Sequence, residues 1–185
     1  GALSSCSMMA GGVNTTTITT SFTAEDADIL EVEADYVGLE ADLQDTIDHI
    51  ETDHPGYDQY NYSLAEISHN PFELAALLTV LYENYTPSQV QSMLQTIFDC
   101  LYTLTMTEVV ETRTRTETRT GQRWVSDGVV NGIPVGHYES YEYEVEVEYD
   151  YYILNTTLTN HGITAAVNAL NLTEDQMQRY MILLE

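Results

Sequence analysis

Two stretches of this chain alternate between residue types with period two. Residues 107–124 read TEVVETRTRTETRTGQRW, and residues 137–154 read HYESYEYEVEVEYDYYIL. Alternation sustained over so many positions is the signature of strands. In the second stretch Tyr141, Tyr143, Val145, Val147, Tyr149 and Tyr151 share one face, and Glu142, Glu144, Glu146, Glu148 and Asp150 share the other. In the first, Arg113, Arg115 and Arg119 share a face, with Thr112, Thr114, Thr116, Thr118 and Thr120 opposite. The connection over 126–136, SDGVVNGIPVG, carries turn chemistry at Asp127-Gly128 and Asn131-Gly132. Together these features predict a long antiparallel hairpin over 103–158, with Trp124 near its distal end. Charge pairing and β-propensity choose one register parity, in which odd residues of one strand oppose even residues of the other. That parity sets Arg113 near Asp150, Arg115 near Glu148 and Arg119 near Glu144, with threonines across from Tyr and Val. The other parity would set Thr against Glu and leave the arginines among tyrosines. A two-stranded ribbon is marginal alone, so its base is expected to join a sheet or lie on helices.

Helical patterns fill most of the remaining chain. Ile29, Val32, Tyr36, Leu39, Leu43, Ile47 and Ile50 recur at gaps of three and four. They predict a long acidic helix from an N-cap at Thr23, with Asp26 in its first turn, to about Glu51. Such a seam serves either packing within the domain or a coiled-coil dimer. Residues 57–62 are Tyr-rich and read as an ordered loop. Asn70-Pro71-Phe72-Glu73 has a capping residue, a first-turn proline and an acid, and starts a helix to about Tyr82. Its nearly continuous apolar run places it at the centre of the core. Thr86-Pro87-Ser88-Gln89 repeats that signature for a helix with Val90, Met93, Leu94, Ile97, Phe98 and Leu101 on one stripe. The two helices, joined by Glu83-Asn84-Tyr85, form an αα-hairpin. Residues 163–170 are compatible with a short helix, and Thr173 with Gln176 caps a final one. The expected organisation is an extended head over 1–22, following a removed membrane segment, and a single α+β domain over 23–185: a helical bundle with a long antiparallel β-hairpin.

Charge narrows the function classes. The chain of 185 residues has 30 acidic side chains, five basic ones and a net charge of −25, with pI near 4.1. All five basic residues are arginines, and four of them lie in the first alternating stretch. Nucleic-acid binding requires Lys and Arg to displace counterions, so the composition excludes it, and it disfavours anionic membranes equally. A hydrophobic content of 43% excludes wholesale disorder. Two cysteines are too few for a disulfide scaffold, and Cys100, at the end of an apolar helical run, reads as a buried thiol. Leu3-Ser4-Ser5-Cys6 resembles a lipobox, but a small-residue stretch outside a membrane segment is the preferred reading.

No catalytic constellation is legible. His49, His54, His69, His137 and His161 stand at no metal-ligand spacing, and no CxxC, GxSxG or P-loop occurs. His49, His54 and Asp53 make at most a weak metal site, beside the alternative of a helix-end surface cluster. Glu25-Asp26-Ala27-Asp28 resembles part of a calcium loop but lacks its glycine and distal Glu; acids at a helix N-terminus explain it better. Cys100 has no base beside it. The expectation is therefore no catalytic, cofactor-binding or metal-binding residue, and no cofactor.

Asn70-Pro71-Phe72, TETRTGQRWV at 116–125, YEYEVEVEYDYYILNTTL at 141–158 and LTEDQMQRYM at 172–181 together resemble one family. It is the large mobile-element protein of Firmicutes integrative and conjugative elements. In that family a membrane-proximal domain precedes a C-terminal NlpC-type cysteine peptidase that cuts peptidoglycan. The family's Asp-Cys-Ser-Gly nucleophile motif is absent: Asp99-Cys100 is followed by Leu101-Tyr102. The chain resembles the segment between anchor and hydrolase. The resemblance implies a non-catalytic extracytoplasmic structural or docking domain at the cell surface or wall, membrane-anchored in the full-length protein. Implied partners are proteins of a conjugation channel or cell envelope, with no nucleic acid, membrane contact only through a missing N-terminal anchor, and a monomer or weak dimer. The alternative is a surface adhesion or ligand-binding module that uses the Tyr-rich ribbon face.

Overall fold

The computed structural model describes residues 22–185. The lipobox-like stretch, Cys6 and the threonine-rich arm before Phe22 lie outside the described residues. The fold is α+β, with six helices and a three-stranded mixed sheet among those residues. In chain order they are α1 (Asp26–Asp48), α2 (Ile50–Asp53), β1 (Gln59–Leu64), α3 (Pro71–Tyr82), α4 (Pro87–Leu101), β2 (Tyr102–Val130), β3 (Ile133–Asn160), α5 (Ile163–Ala169) and α6 (Glu174–Leu183). Contacts divide the chain into two compact units. One holds the residues up to Pro55, Tyr62–Met106 and Thr156–Glu185; the other holds Gly56–Asn61 and Thr107–Asn155.

The first unit is helical. Ile29, Val32, Tyr36, Ile47 and Ile50 of the predicted seam are buried, so the seam serves packing within this unit, and α1 lies against α4. The helix does not start as expected. Glu25 occupies the N-cap without a side-chain bond, while the Thr23 hydroxyl donates to the Glu83 carbonyl at 2.7 Å. At the other end α1 stops at Asp48, and one short turn, α2, follows. The next helix starts as its sequence dictates: the Asn70 side chain accepts the Phe72 N–H at 3.0 Å, and Pro71 takes the first turn. Leu74, Ala75, Ala76, Leu77, Leu78 and Val80 of α3 are all buried, which puts it at the centre of the core. Glu83 ends α3 with φ 62°, a conformation uncommon for a residue with a side chain. Its carboxylate is held by Arg179 at 3.0 Å. In α4, Gln89 accepts the Thr86 N–H at 3.0 Å, and Val90, Leu94, Ile97 and Leu101 are buried. Cys100 is only half-buried, not the enclosed thiol its run implied, because the buried stripe passes through its neighbours Ile97 and Leu101. Thr173 and Gln176 exchange both bonds of a capping box, at 3.0 and 3.2 Å.

The Tyr-rich stretch read as a loop is in part a strand. β1 runs parallel to β3, with the Asp58 N–H on the Tyr152 carbonyl at 2.8 Å and the Ala65 N–H on the Leu158 carbonyl at 3.0 Å. β3 therefore has β1 on one side and β2 on the other. Gln59, Asn61 and Ser63 alternate with Tyr60, Tyr62 and Leu64, a period-two pattern that marks a strand and that the loop reading passes over.

The second unit is a ribbon closed by a tighter turn than the expected 126–136 connection. Asn131 and Gly132 alone form it, with φ 54° and 79°, the positive values that a type I′ hairpin turn requires. This turn sets Val130 opposite Ile133. Further down, Trp124 packs on Tyr138 with ring centroids 5.0 Å apart, Arg123 meets Glu139 at 3.3 Å, and Tyr141 lies over Gly121. Each of these pairs joins odd to odd or even to even. From Val130 to Trp124 is one step more than from Ile133 to Tyr138, so β2 carries one extra residue. Gly128, at φ 121°, is where it is accommodated as a β-bulge.

The bulge overturns the expected register. Odd residues of β2 oppose odd residues of β3, and the arginines stand among tyrosines. The Arg113 guanidinium lies 3.4 Å from the centre of the Tyr151 ring, and that of Arg115 lies 5.2 Å from the Tyr149 ring. Their carboxylate partners lie two residues along the same strand: Arg113 on Glu111 and Arg115 on Glu117, both at 2.7 Å. Glu142, Glu144, Glu146, Glu148 and Asp150 face the threonines instead, and all five are exposed. Neutralising them with Glu144→Gln, Glu148→Gln and Asp150→Asn should therefore relieve repulsion and strengthen the ribbon, by a few tenths of a kcal/mol per site. Backbone hydrogen exchange across β2 and β3 measures this. Faster exchange in the triple variant would mean that those carboxylates do pair with the arginines.

Candidate functional site

Two places in the chain gather side chains in a way that folding of a generic core does not require: a buried histidine cluster in the helical unit and the surface of the ribbon. The cluster begins with spacing. Glu33, Tyr36 and Glu40 fall at i, i+3 and i+7 of α1, and so share a face. His69 directly precedes the capping Asn70, where the start of α3 fixes the chain. Tyr102 opens β2 where α4 ends. The imidazole Nδ1 lies 3.0 Å from a Glu40 oxygen and Nε2 lies 3.1 Å from a Glu33 oxygen. The His69 side chain is only 4% exposed and that of Glu40 11%. Tyr102 donates its single phenolic proton to Glu40 at 2.5 Å, with the Ser68 carbonyl at 3.0 Å. The Tyr36 ring stands edge-on to His69 at 4.5 Å, and its buried hydroxyl has no hydrogen-bond partner.

The electrostatics follow from this geometry. Burial opposes a charge on His69 and is the largest single effect, but the bonds to Glu33 and Glu40 and their charges together outweigh it. The result is a pKa pushed up to about 9. At neutral pH His69 is an imidazolium with both N–H groups donated to carboxylates. Burial, followed by neighbouring negative charge, raises the Tyr36 phenol well above its ordinary value. Burial and the bond to Glu40 do the same for Tyr102. With both ring nitrogens occupied and the imidazole covered, His69 is placed to tie α1 to the segment before α3, while Glu33 keeps part of its carboxylate in water.

The other histidines disperse. His49 sits on the carbonyl of Asp45 at 2.7 Å, His161 on the Thr103 hydroxyl at 3.1 Å, and His137 between Asp127 and Glu139 at 2.8 and 3.2 Å. Among the described residues no three His, Cys, Asp or Glu side chains stand together in a way that could hold a metal ion, so His49, His54 and Asp53 are not gathered into a site. Among those residues no helix is long and apolar enough to cross a membrane. The sequence reading missed the grouping of Glu33, Glu40, His69 and Tyr102. The one available signal was Glu40, an acid one residue from Leu39 on the apolar side of α1.

The ribbon offers surface on both faces. Its odd face carries the arginines, the Glu111 and Glu117 carboxylates, and Tyr141 and Tyr143, whose rings are 5.8 Å apart and exposed. Its even face carries the threonines and the five carboxylates. Near the turn, Val129, Val130 and Ile133 are exposed at 67%, 56% and 65%, and Trp124 and Tyr138 are exposed behind them. Trp124 covers Gly136, where a Cβ would fall 2.6 Å from the indole ring and 2.3 Å from the Val125 carbonyl oxygen. Compared with known proteins, the chain matches no family model, no curated protein and no solved structure.

The histidine cluster makes stability depend on pH. Its folded pKa lies above the unfolded value of about 6.5, so its contribution is full below pH ~6.5 and is lost as pH rises through about 9. Unfolding free energy should fall across that window by on the order of 3 kcal/mol, at no more than about 1.4 kcal/mol per pH unit. His69→Gln should remove this slope and cost about 3–5 kcal/mol near pH 6.5, because it leaves two carboxylates without their cation. Urea titrations of both proteins between pH 6 and 9 are the measurement. Parallel curves would show that His69 does not carry the dependence.

Proposed function

We propose that this chain is a non-catalytic extracytoplasmic docking domain that positions a cell-wall hydrolase at the wall or the transfer channel. The resemblance at 70–72, 116–125, 141–158 and 172–181 motivates the reading. The observation that carries it is the distal part of the ribbon. Val129, Val130 and Ile133 point outward on both faces of the turn, backed by Trp124 and Tyr138, on a chain whose surface is otherwise strongly acidic. Apolar side chains held at the end of a long hairpin suit insertion into a concave protein partner, because burial of each is favourable by roughly 1.5–3 kcal/mol when complete. The surrounding carboxylates disfavour an anionic bilayer as that partner and favour a protein with basic groups around its socket.

A second reading is favoured by a different observation. Tyr141 and Tyr143 lie exposed side by side on the odd face, an arrangement suited to an adhesion or ligand-binding module.

Co-purification with components of a conjugation channel tests the first reading. The unmodified chain should retain them, and Val130→Ser with Ile133→Ser should reduce retention at least tenfold without changing the thermal transition. Binding only to glycans or host surfaces, abolished by Tyr141→Ala with Tyr143→Ala, would replace docking with adhesion. Turnover of purified peptidoglycan by the chain alone would overturn the non-catalytic reading.

A further inference from the structure

Among the described residues β2 lies at the edge of the sheet, in the order β1-β3-β2. Its backbone orientation follows from the register. The His161 N–H donates to the Leu101 carbonyl at 2.7 Å, which makes odd residues of β2 the ones whose backbone groups turn toward β3. Even residues, among them Thr112, Thr114, Thr116 and Thr118, therefore turn N–H and C=O to the open side. A long strand edge with unpaired backbone groups is a template for another strand. The need is sharpened here because a two-stranded ribbon is marginal alone, and Thr107–Asn155 supplies no third strand to the outer side of β2.

We propose that the occupant of this edge is the same edge of a second copy, paired antiparallel about a two-fold axis through Arg115. The product is a continuous six-stranded sheet, β1-β3-β2-β2-β3-β1, with the two β2 strands at its centre. Only symmetric registers that set even residues against even ones satisfy the outward backbone groups, and charge selects among them. With the axis at Arg115, Arg113 opposes Glu117 of the second copy and Glu111 opposes Arg119. Symmetry doubles both, for four opposite-charge pairs against one like-charge pair on the axis. Moving the axis to Thr114 sets Glu111 against Glu117 and Arg113 against Arg115. Moving it to Thr116 sets Arg113 against Arg119. Axes at Arg113 or Thr112 form half as many opposite-charge pairs. On the other face the chosen register pairs Thr112 with Thr118 and Thr114 with Thr116, each a favourable cross-strand pair. The like-charge contact is softened because Arg115 leans over Tyr149 of β3, away from the open edge. The carboxylate row of β3 is kept from its symmetry mate by both β2 strands, a separation of about 14 Å.

The inference concerns the β2 edge and is independent of what the ribbon tip docks. Its test uses the full chain carrying Cys6→Ser and Cys100→Ser. Residues on the axis form a non-hydrogen-bonded pair, whose Cβ atoms come within about 4.5–5.5 Å. Arg115→Cys should therefore give a covalent dimer on mild oxidation, at least tenfold faster than Thr107→Cys, which lies far from its own mate. Sedimentation of the unmodified chain should show a dimer that dissociates on dilution. Thr114→Pro removes an outward N–H while leaving the β2–β3 bonds in place, and should weaken the dimer at least tenfold. A chain that stays monomeric at millimolar concentration would overturn the proposal. So would equal cross-linking at the two positions, a dimer indifferent to Thr114→Pro, or an edge that pairs only when another protein is added.

Discussion

Thirty carboxylates share five arginines in this chain, and the placement of each cation decides how both units hold together. In the ribbon, Arg113 and Arg115 bond to Glu111 and Glu117 two residues away and lie over tyrosine rings of the facing strand. The five carboxylates of β3 are left with hydroxyls for neighbours and must rely on water. In the helical unit the cation is made on site. His69 would be neutral if burial alone acted on it; Glu33 and Glu40 convert it into an imidazolium. A buried ion cluster of this kind adds little net stability over an apolar substitute, but removing one member costs several kcal/mol. That asymmetry gives the cluster a specifying role. It fixes which turn of α1 meets the segment before α3, and Tyr102 extends the constraint to the first residue of β2.

The ribbon rests on a different kind of decision, taken by a single residue. Side chains of a strand alternate with period two, so inserting one residue exchanges every pairing beyond it. The Asn131-Gly132 turn by itself would set odd residues against even ones and bring Arg113 to Asp150. The extra residue at Gly128 reverses that assignment over the whole length of the hairpin. It also brings Tyr141 over Gly121 and Trp124 over Gly136, so that aromatic rings cover two of the ribbon's four glycines. The energies that had chosen the opposite parity, about 0.2–1 kcal/mol per cross-strand charge pair, are matched by ring contacts and by ion pairs along the strand.

What was legible in the sequence was local. Helix starts at Asn70, Thr86 and Thr173 were readable because the capping chemistry lies within four residues of itself. The hairpin was readable because its alternation is long. The register was not, because a glycine in a turn-rich connection reads equally well as part of the turn or as a bulge, and because Glu111 and Glu117, on the arginines' own face, compete as partners with the more conspicuous row on β3. β1 carries a signal of its own, Gln59, Asn61 and Ser63 alternating with Tyr60, Tyr62 and Leu64, but six residues are a short run, and the pairing that settles them comes from a partner some 94 positions away, as in the bond between the Asn61 and Asn155 side chains. The cluster around His69 was missed because it too depends on distant partners. Its members come from three elements, and only Glu40, an acid beside an apolar seam, carries a hint of burial.

The aliphatic residues at the tip differ from the rest of the ribbon in how much of their area stays in water. Trp124 and Tyr138 pack on each other and on a glycine, and so contribute to the ribbon itself. Val129, Val130 and Ile133 are not required by it: a type I′ turn needs only the conformations of Asn131 and Gly132, and threonine, equally β-branched, would serve the strands beside them. Three exposed aliphatic side chains lower solubility and gain nothing from intramolecular burial, since more than half the area of each remains in water. Elsewhere on the ribbon threonine, arginine and glutamate predominate at exposed positions, and the exposed valines there, Val109 at 38% and Val110 at 47%, keep more of their area covered than the three at the turn. The departure from that habit at the turn, on both faces at once, supports contact with a partner that surrounds the tip over packing against a flat surface.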